Sequence, residues 1–277
     1  MRQGRMNMEL VEVNQQRCTK CEICVQICPP KILAMGENGP AAISPQVCIA
    51  CGHCVAVCPH KAIDNRKTPL VNQPVLKEFP VVNAETAEQF LRSRRSVRCY
   101  KDTVVPREDL QKLLEIARFA PTASNRQGVS YIIIEDKEKL KMITAVMIEW
   151  MEEQTLNNPA HHWSFPLHIN AYREKGIDNI LHDAPHLILA TTQKNLPKGR
   201  ENTIFSLTYL ELFATALGLG SCWAGLLEMC IFANYQPLLD LINIPQDKEI
   251  TGAVMVGYPK YNFKRLVDRD PLDVTWL

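Results

Sequence analysis

Residues 18–29 read CTKCEICVQICP, and residues 48–59 read CIACGHCVAVCP. Each stretch holds four cysteines in the spacing C-x2-C-x2-C-x3-C, and a proline follows the last of them. The second stretch repeats the first at an offset of 30 residues, which also relates Lys31 to Lys61. An offset this regular indicates that one half-domain has been duplicated within the chain.

The cysteine spacing predicts two [4Fe-4S] clusters. Thiolates are soft ligands that suit iron–sulfur clusters. Three cysteines spaced three residues apart can surround one face of a cubane, while the fourth, before proline, reaches the other cluster. The first cysteine set, assigned to one cluster, is Cys18, Cys21, Cys24 and Cys58. The second cysteine set is Cys48, Cys51, Cys54 and Cys28. Structural zinc is the alternative, but zinc sites usually take their four ligands as two separated pairs.

Residues 11–65 resemble the bacterial two-cluster ferredoxin, whose cysteine motif has this spacing. The second half keeps the glycine that is usual in that family, Gly52, whereas the first half has Glu22 there. A carboxylate beside the first cluster would lower its reduction potential, because net charge is one determinant of that potential. A ferredoxin only carries electrons, so any bond chemistry must come from the rest of the chain.

Composition and charge narrow the class of protein. The chain has 277 residues, enough for two domains, and 46% of them are hydrophobic, which excludes a mostly disordered chain. Lys and Arg number 31 against 30 Asp and Glu, so a globally basic nucleic-acid-binding protein is not expected. The sequence has no run of about 18 apolar residues, and residues 1–10 lack the apolar core of a secretory signal. We therefore expect a cytoplasmic protein with no nucleic-acid or membrane partner, whose thiols stay reduced.

The pattern along the chain predicts three parts. They are a ferredoxin domain over residues 1–65, a linker over 66–80 and a second domain over 81–277. The linker reads RKTPLVNQPVLKEFP, and its three prolines and lack of helical period predict an extended segment. Helices are predicted over 84–93, from Pro106 onward, over 137–153 and over 202–217, and strands over 129–134, 186–192 and 250–258. The helix over 202–217 is apolar on almost every side, so we expect it to be buried in a core or a subunit interface.

A basic segment opens the second domain. Residues 92–107 contain six Lys and Arg against one acid, Asp102, in a chain of net charge +1. Guanidinium groups match phosphate oxygens in a bidentate fashion, and a serine hydroxyl adds a donor. Composition alone leaves a phosphate pocket, a solvated charged loop and a nucleic-acid contact about equally favoured.

Four motifs in order resemble the nitroreductase family of FMN proteins. They are RRSVR at 94–98, APTASNRQG at 120–128, GLGSCWAGL at 218–226 and VGYPK at 256–260. The family pattern usually has serine where Thr122 stands, and the resemblance covers residues 84–277. It implies an α+β protein in which a ferredoxin-like two-cluster domain precedes a nitroreductase-like FMN-binding α/β domain with helices around a mixed sheet. It also implies a homodimer with FMN at the subunit interface.

The resemblance assigns cofactor-binding roles to particular residues. The FMN phosphate and nearby ribityl oxygens would be held by Arg94, Arg95, Ser96 and Arg98. Asn125 and Gln127 would bond the ribityl chain or the ring edge, and backbone amides near Gly225 and Leu226 would face the flavin N5 and O4 region. Arg265 would complete the phosphate site, with Lys264 and Arg269 as alternatives. No side chain is assigned as a catalytic acid or base.

These two motif sets predict an oxidoreductase with FMN and two [4Fe-4S] clusters. In the main hypothesis electrons enter through the clusters, reduce FMN and pass to a small aromatic acceptor such as a nitro compound or quinone. In a second hypothesis, NAD(P)H reduces FMN and the clusters export single electrons to a partner protein. A third makes the chain an electron carrier without a substrate of its own. The fragment Gly218-x-Gly220 follows a predicted helix and is not a dinucleotide motif, so a nicotinamide would bind only transiently at the face of FMN.

Two further features are left open. The segment 157–172 contains His161, His162 and His168, and is expected to be a lid over the flavin in which Trp163 and Phe165 shape the substrate pocket. A metal site at these histidines is the less favoured interpretation, because no acid or cysteine accompanies them at ligand spacing. Cys99, Cys222 and Cys230 are expected to be small core residues, with a functional role at Cys222 as the alternative.

Overall fold

A computed structural model describes residues 9–76 and 82–277. Contacts divide the chain into two compact units. The first unit comprises the chain up to residue 81 together with Ser124–Arg126, and the second comprises Val82–Ala123 and Gln127–Leu277. No helix in the described ranges combines the length and the apolar character that a membrane span requires.

The first unit is built from two short antiparallel ribbons and two short helices. Strand β1 (Val11–Val13) pairs with β4 (Ile63–Asn65), and β2 (Leu33–Gly36) pairs with β3 (Gly39–Ala42). The helices are α1 (Ile23–Ile27) and α2 (His53–Ala56). A small core forms between the ribbons and helices from Val11, Ile32, Leu33, Val55 and Ile63.

The duplication seen in the sequence extends to the backbone. Three positions in each half have a positive φ: 55° and 53° at Lys20 and Ala50, 63° and 73° at Glu22 and Gly52, and 52° and 50° at Lys31 and Lys61. Only Gly52 is a residue that adopts this conformation without steric cost. The left-handed conformation is therefore required by the turns around the cysteines, even where the residue does not favour it.

The first part of the predicted linker is a set of turns. Residues Leu70–Asn72 form a short 3-10 helix. The amide of Leu70 donates to Asp64 Oδ1 at 2.8 Å, and Gln73 Nε2 donates to the carbonyl of Thr68 at 2.9 Å. Residues Leu70–Asn72 are therefore helical rather than extended, and residues 77–80 of the predicted linker lie outside the described part of the chain.

The second unit is a four-stranded sheet covered by helices. Its strands are β5 (Ser130–Ile134), β6 (His186–Gln193), β7 (Gly220–Trp223) and β8 (Lys248–Gly257), in the order β5-β6-β8-β7. All three strand pairs are antiparallel, and a single parallel bridge links Ser96 to Ser221. The helices are α3 (Ala84–Ser93), α4 (Arg107–Ala117), α5 (Lys137–Asn157), α6 (Phe165–Lys175), α7 (Gly199–Ala216), α8 (Gly225–Phe232) and α9 (Gln236–Ile242).

Local sequence signals explain where the first helices of this unit begin. Asn83 caps α3, and its side-chain oxygen accepts from the amide of Thr86 at 2.8 Å, as predicted. Helix α4 begins at Arg107, one residue later than expected, because Pro106 has extended backbone and serves as its N-cap. The buried face of α4 carries Leu110, Leu113 and Ala117.

Two hydrophobic clusters enclose the sheet. One contains the buried faces of α5, α8 and α9, and the other contains those of α4 and α7. Residues His186–Thr192 of β6 are all buried between them. A strand buried on both faces reads as a short continuous apolar run, and such a run is how the sequence predicts β6.

The segment 157–172 differs from the expected lid. Helix α5 continues to Asn157, and α6 begins at Phe165. The Phe165 ring is 2% exposed and meets Trp150 edge-on at 5.3 Å between ring centroids, so Phe165 is a core residue. Trp163 is 75% exposed.

Candidate cofactor sites

The eight motif cysteines line two separate cavities in the first unit. One cavity is lined by Cys18, Cys21, Cys24 and Cys58, and the other by Cys28, Cys48, Cys51 and Cys54. The structure therefore brings together the same two groups that the spacing predicts. Each group contributes three cysteines from one repeat and the cysteine before proline from the other. That arrangement suits two cubanes, each with three ligands from one repeat and a fourth from the other.

Burial and hydrogen bonding around the sulfurs fit thiolate ligands. Burial raises the pKa of Cys24 and of Cys54, so these thiols need a metal to lose their protons at neutral pH. The amide of Ala62 donates to Cys58 Sγ at 3.2 Å. Asn65 Nδ2 lies 3.9 Å from Cys48 Sγ and 3.8 Å from Cys54 Sγ. Such donors stabilise the negative charge that sulfur carries in a cluster.

Three of the four motifs in the second unit lie side by side. The amide of Val97 donates to the carbonyl of Ser221 at 2.9 Å, next to the parallel bridge between Ser96 and Ser221. Further along, the amide of Lys101 donates to the carbonyl of Tyr258 at 2.9 Å. The RRSVR segment is thus held against β7 and the end of β8. This places the arginines beside the glycine-rich and VGYPK motifs.

A glycine is required where the arginine segment crosses β7. A Cβ atom on Gly220 would approach Val97 Cγ2 to 2.6 Å and Val97 Cβ to 2.8 Å. Real Cβ atoms do not come so close, and both neighbouring atoms belong to a stiff β-branched side chain. The second glycine of Gly218-x-Gly220 therefore serves close packing of two segments, in agreement with the conclusion that it is not a dinucleotide motif.

The three arginines of the motif do not face one cavity. Arg95 lines a cavity of about 350 Å³ together with Ser221, and its guanidinium lies 4.8 Å from the ring centroid of Phe263. Arg98 lines a different cavity of about 620 Å³ with His182 among its walls. Arg94 Nη1 instead lies 3.5 Å from Glu211 Oε1.

Glu211 is a buried acid that belongs to none of the sequence motifs. It lies on α7 with 8% of the residue exposed, and its Oε1 accepts from Ser221 Oγ at 3.0 Å. Burial raises the pKa of Glu211, while Arg94 and the Ser221 hydroxyl oppose that shift. Glu211 thus connects a motif arginine to β7. The only sign of this role in the sequence is that Glu211 is a single acid within a predicted apolar helix.

The APTASNRQG loop is shaped by left-handed residues and side-chain caps. Ser124, Asn125 and Gln127 have φ values of 51°, 52° and 54°. The amide of Gln127 donates to Thr122 Oγ1 at 2.9 Å, so the threonine that replaces serine still supplies the hydroxyl. Asn125, which is grouped with the first unit, donates through Nδ2 to the carbonyls of Ile49 and Ala50 at 3.0 and 2.9 Å.

The amides expected to face the flavin ring are the first amides of α8. The helix begins at Gly225, and its N-cap residue Ala224 makes no side-chain cap. The first amides of a helix have no acceptor within the helix, so those of Gly225 and Leu226 are available to an external acceptor. Flavin N5 and O4 are acceptors of the kind that such a helix end favours.

A half-buried ion pair, which no sequence motif indicates, holds α8 in place. Arg200 Nη1 and Nη2 donate to Glu228 Oε1 and Oε2 at 3.0 and 2.8 Å, and Ala253 donates its amide to Glu228 Oε1 at 2.9 Å. The guanidinium lies 5.2 Å from the ring centroid of Trp223 and 5.0 Å from that of Phe232. The pair joins α7, β8 and the first turn of α8, the turn that also contains Gly225 and Leu226.

The remaining predicted residues are placed without a common site. Arg265, Lys264 and Arg269 are all exposed in a segment without regular structure. Cys222 and Cys230 are buried, as expected for core residues, and burial raises the pKa of Cys230 to about 12. Cys99, expected in the core, is exposed, because it lies where the arginine segment leaves β7. Within residues 9–76 and 82–277, no three His, Cys, Asp or Glu side chains meet as ligands of a single metal ion, whereas the cysteines of each set surround a cavity.

Comparison with known proteins adds family evidence to this geometry. A family model described as "Nitroreductase family" matches residues 91–258, and one described as "4Fe-4S dicluster domain" matches residues 8–59. An iodotyrosine deiodinase of Thermotoga neapolitana is 28% identical over 184 residues, which are 61% of this chain and 86% of that protein. An FMN reductase [NAD(P)H] of Bacillus subtilis is 26% identical over 172 residues, covering 61% of this chain and 64% of that protein.

A solved structure is also similar. It is an oxidised iodotyrosine deiodinase bound to FMN and 3-iodo-L-tyrosine, with 25% sequence identity and a TM-score of 0.53. The match covers 69% of this chain and 98% of that one. The chain belongs to the nitroreductase family, and its dicluster domain precedes the nitroreductase domain along the sequence.

Proposed function

We propose that this flavin- and iron–sulfur-dependent oxidoreductase receives electrons through its clusters and uses them, through FMN, to reduce a small aromatic acceptor such as a nitro compound or a quinone. The observation that carries the proposal is the presence, on one chain, of two complete cysteine sets and of the nitroreductase motifs. When bound, clusters exchange single electrons and FMN exchanges either one electron or a hydride.

The chain's own residues bind and orient these groups. The two cysteine sets hold the clusters and exclude bulk water from the buried sulfurs of Cys24, Cys28 and Cys54. The side chains that would hold the phosphate and ribityl oxygens of FMN are those of Arg94, Arg95, Ser96, Arg98, Asn125, Gln127 and Arg265. The amides of Gly225 and Leu226 would donate to the ring edge of FMN, where such donors stabilise negative charge.

The arrangement of the arginines bears on how FMN binds. The guanidiniums of Arg94, Arg95 and Arg98 have different neighbours, so a phosphate must draw Arg94 away from Glu211 to gather them. Charge-assisted bidentate bonds to phosphate exceed a 3.5 Å pairing in strength. We therefore expect Arg94→Gln to weaken FMN binding at least tenfold, and Arg92→Gln, whose exposed pair lies outside the motif, to leave it unchanged.

The second hypothesis reverses the electron flow. NAD(P)H would reduce FMN, and the clusters would export single electrons to a partner protein. The name of the Bacillus subtilis relative, FMN reductase [NAD(P)H], favours keeping this possibility.

One anaerobic experiment separates the hypotheses. NADH and then NADPH are added to the purified full chain while the flavin absorbance is recorded, followed by dithionite with an aromatic acceptor. Bleaching within seconds by either nucleotide supports the reversed flow. Bleaching only by dithionite, with turnover of the acceptor, supports the main proposal. Absence of bound FMN, or of any acceptor turnover, contradicts it.

A cysteine variant tests the role of the clusters. Cys51→Ala removes one ligand of the second cysteine set, and Cys99→Ala removes an exposed cysteine outside both sets. If the clusters supply the electrons, Cys51→Ala abolishes turnover driven by a low-potential donor while Cys99→Ala does not. Under the reversed flow, Cys51→Ala leaves nucleotide-driven bleaching intact and stops only electron export.

We also propose that the chain forms a homodimer in the cytoplasm. One face of α7 carries Ile204, Phe205 and Tyr209, which are 41%, 50% and 41% exposed within a single chain. An apolar helix face of this kind is typical of a subunit interface. Light scattering should give twice the mass of the chain, and Phe205→Glu should give the monomer. A monomeric wild-type protein would contradict the dimer.

A further inference from the structure

The duplicated halves of the first unit place different side chains at equivalent positions beside the two cysteine sets. Asn65 is the last residue of β4 and lines the second cavity, whereas Met35, 30 residues earlier on β2, lines the first. The two residues therefore occupy corresponding places in the repeat. One offers an amide donor and the other a thioether, which has no proton to donate.

The Asn65 amide is buried and oriented toward sulfur. Asn65 is 3% exposed, and its Oδ1 accepts from the amide of Lys67 at 2.9 Å. Because Oδ1 is occupied by this turn, the Nδ2 end faces Cys48 Sγ and Cys54 Sγ at 3.9 and 3.8 Å. Both sulfurs belong to the second cysteine set.

The first cysteine set has no comparable side-chain donor among the residues that the structure describes. Its N–H···S donors are backbone amides: that of Ala62 lies 3.2 Å from Cys58 Sγ, and that of Val25 bonds to Cys24. The wall of its cavity contains one basic and one acidic side chain, Arg17 and Glu22. The second cavity has Gly52 in place of Glu22, and Lys67 Nζ donates to the Cys48 carbonyl at 2.9 Å.

We infer that Asn65 makes the second cysteine set the higher-potential cluster site, so that the first electron to enter the domain is held there. Reduction adds negative charge that is shared by the cluster sulfurs, and N–H donors stabilise the reduced form more than the oxidised form. Asn65 makes two such contacts at the second cysteine set, whereas the corresponding residue, Met35, makes none at the first. The two reduction potentials are therefore unequal. Asn65 acts through the sulfurs of Cys48 and Cys54 and is a positioning residue for charge.

The test is an anaerobic redox titration of the full chain, with each cluster's reduction followed by electron paramagnetic resonance. In the wild-type protein we expect two separate one-electron steps. Asn65→Met gives the second half the residue that the first half has at this position. It should lower the higher midpoint potential by about 59 mV, which for one electron is a tenfold change in the ratio of reduced to oxidised cluster. The lower midpoint should not move. Asn72→Met, at an exposed asparagine, is the control.

Two further variants keep the inference testable if Asn65→Met loses iron. Asn65→Asp retains the oxygen that accepts from Lys67 but replaces the donor, and it should lower the higher midpoint further. Met35→Asn supplies the missing donor to the first set and should raise the lower midpoint toward the higher. Midpoints that stay at the control values in an iron-replete Asn65→Asp or Met35→Asn protein would overturn the inference, as would a shift of the lower step alone in Asn65→Asp.

This result is independent of the acceptor and of the direction of electron flow. The potentials are read from the clusters themselves, without turnover. An inactive protein with two separate midpoints, of which the higher depends on Asn65, would contradict the proposed function and support this inference. An active protein whose midpoints do not change when Asn65 is replaced would support the proposed function and contradict this inference.

Discussion

Replacing Glu228 tests whether the half-buried ion pair holds the flavin-facing end of α8. The Glu228 side chain is 6% exposed and that of Arg200 is 38% exposed. Glu228 accepts two bonds from Arg200 and one from the amide of Ala253. Glu228→Gln keeps an oxygen for Ala253 but removes the charge, whereas Glu228→Ala removes all three acceptor contacts.

The expected destabilisation follows from this burial. Removing one partner of a buried pair costs about 3–5 kcal/mol, because the other charge is left uncompensated. Arg200 is more than a third exposed, and water takes over part of its solvation, so we expect about 2 kcal/mol for Glu228→Gln. Glu228→Ala also leaves the buried Ala253 amide without an acceptor, which adds about 1–3 kcal/mol.

These energies convert to measurable shifts in the unfolding temperature. A domain of this size loses about 2–4 °C per kcal/mol, so Glu228→Gln should lower Tm by about 4–8 °C and Glu228→Ala by more. Far-ultraviolet circular dichroism at one heating rate gives Tm, and flavin fluorescence gives FMN affinity, which should fall because the first turn of α8 is released. Glu201→Gln breaks the exposed Lys198–Glu201 pair and should change neither quantity. If Glu228→Gln loses no more stability than Glu201→Gln, the pair does not hold α8.

Three further outcomes are expected. Gly220→Ala should destabilise the second unit by about 1–3 kcal/mol through overpacking against Val97 and weaken FMN binding, as measured by urea unfolding and flavin titration; unchanged FMN affinity would contradict the role of this crossing. Glu22→Gly should stabilise the first unit by about 1 kcal/mol, because glycine adopts the φ of 63° without steric cost, and iron should be lost more slowly in urea; faster loss would contradict this. Burial raises the pKa of Glu211 above its ordinary value of 4.5, so above pH 4.5 the folded chain keeps a proton that the unfolded chain has lost. The free energy of unfolding should therefore fall as the pH rises through that window. Glu211→Gln should remove this pH dependence, as measured by urea titrations followed by tryptophan fluorescence.

The parts of the protein that were predictable share a physical cause. Metal-ligand spacing is short-range chemistry, and the sequence alone separates the eight motif cysteines into the two groups that line the two cavities. Long apolar runs likewise predict β6 and α7 to within a few residues. Each of these signals lies within one continuous stretch, so no knowledge of the tertiary fold is needed.

The elements that sequence reasoning missed depend on tertiary contacts. Strand β7 consists of Gly220, Ser221, Cys222 and Trp223, too short a stretch to show a pattern, and it is extended because β8 pairs with it from Trp223 to Gly220. The pair of Arg200 and Glu228 joins positions 28 residues apart on different helices, a separation that matches no periodic pattern. Phe165 occurs in a polar stretch, and only the fold reveals Trp150 as its neighbour.

The 30-residue repeat in the sequence predicts the shared backbone of the two halves but not the differences between their cluster sites. Glu22 adopts the left-handed conformation that its counterpart Gly52 adopts freely, so the backbone of both halves follows the demands of cysteine placement rather than local preference. With the backbone held equal, the two halves can differ only in the side chains that surround the sulfurs. Met35 and Asn65 are such a pair, and the difference is visible only once the 30-residue offset shows that they occupy the same place. A duplicated domain can therefore keep one geometry for binding two clusters while giving each cluster its own chemistry.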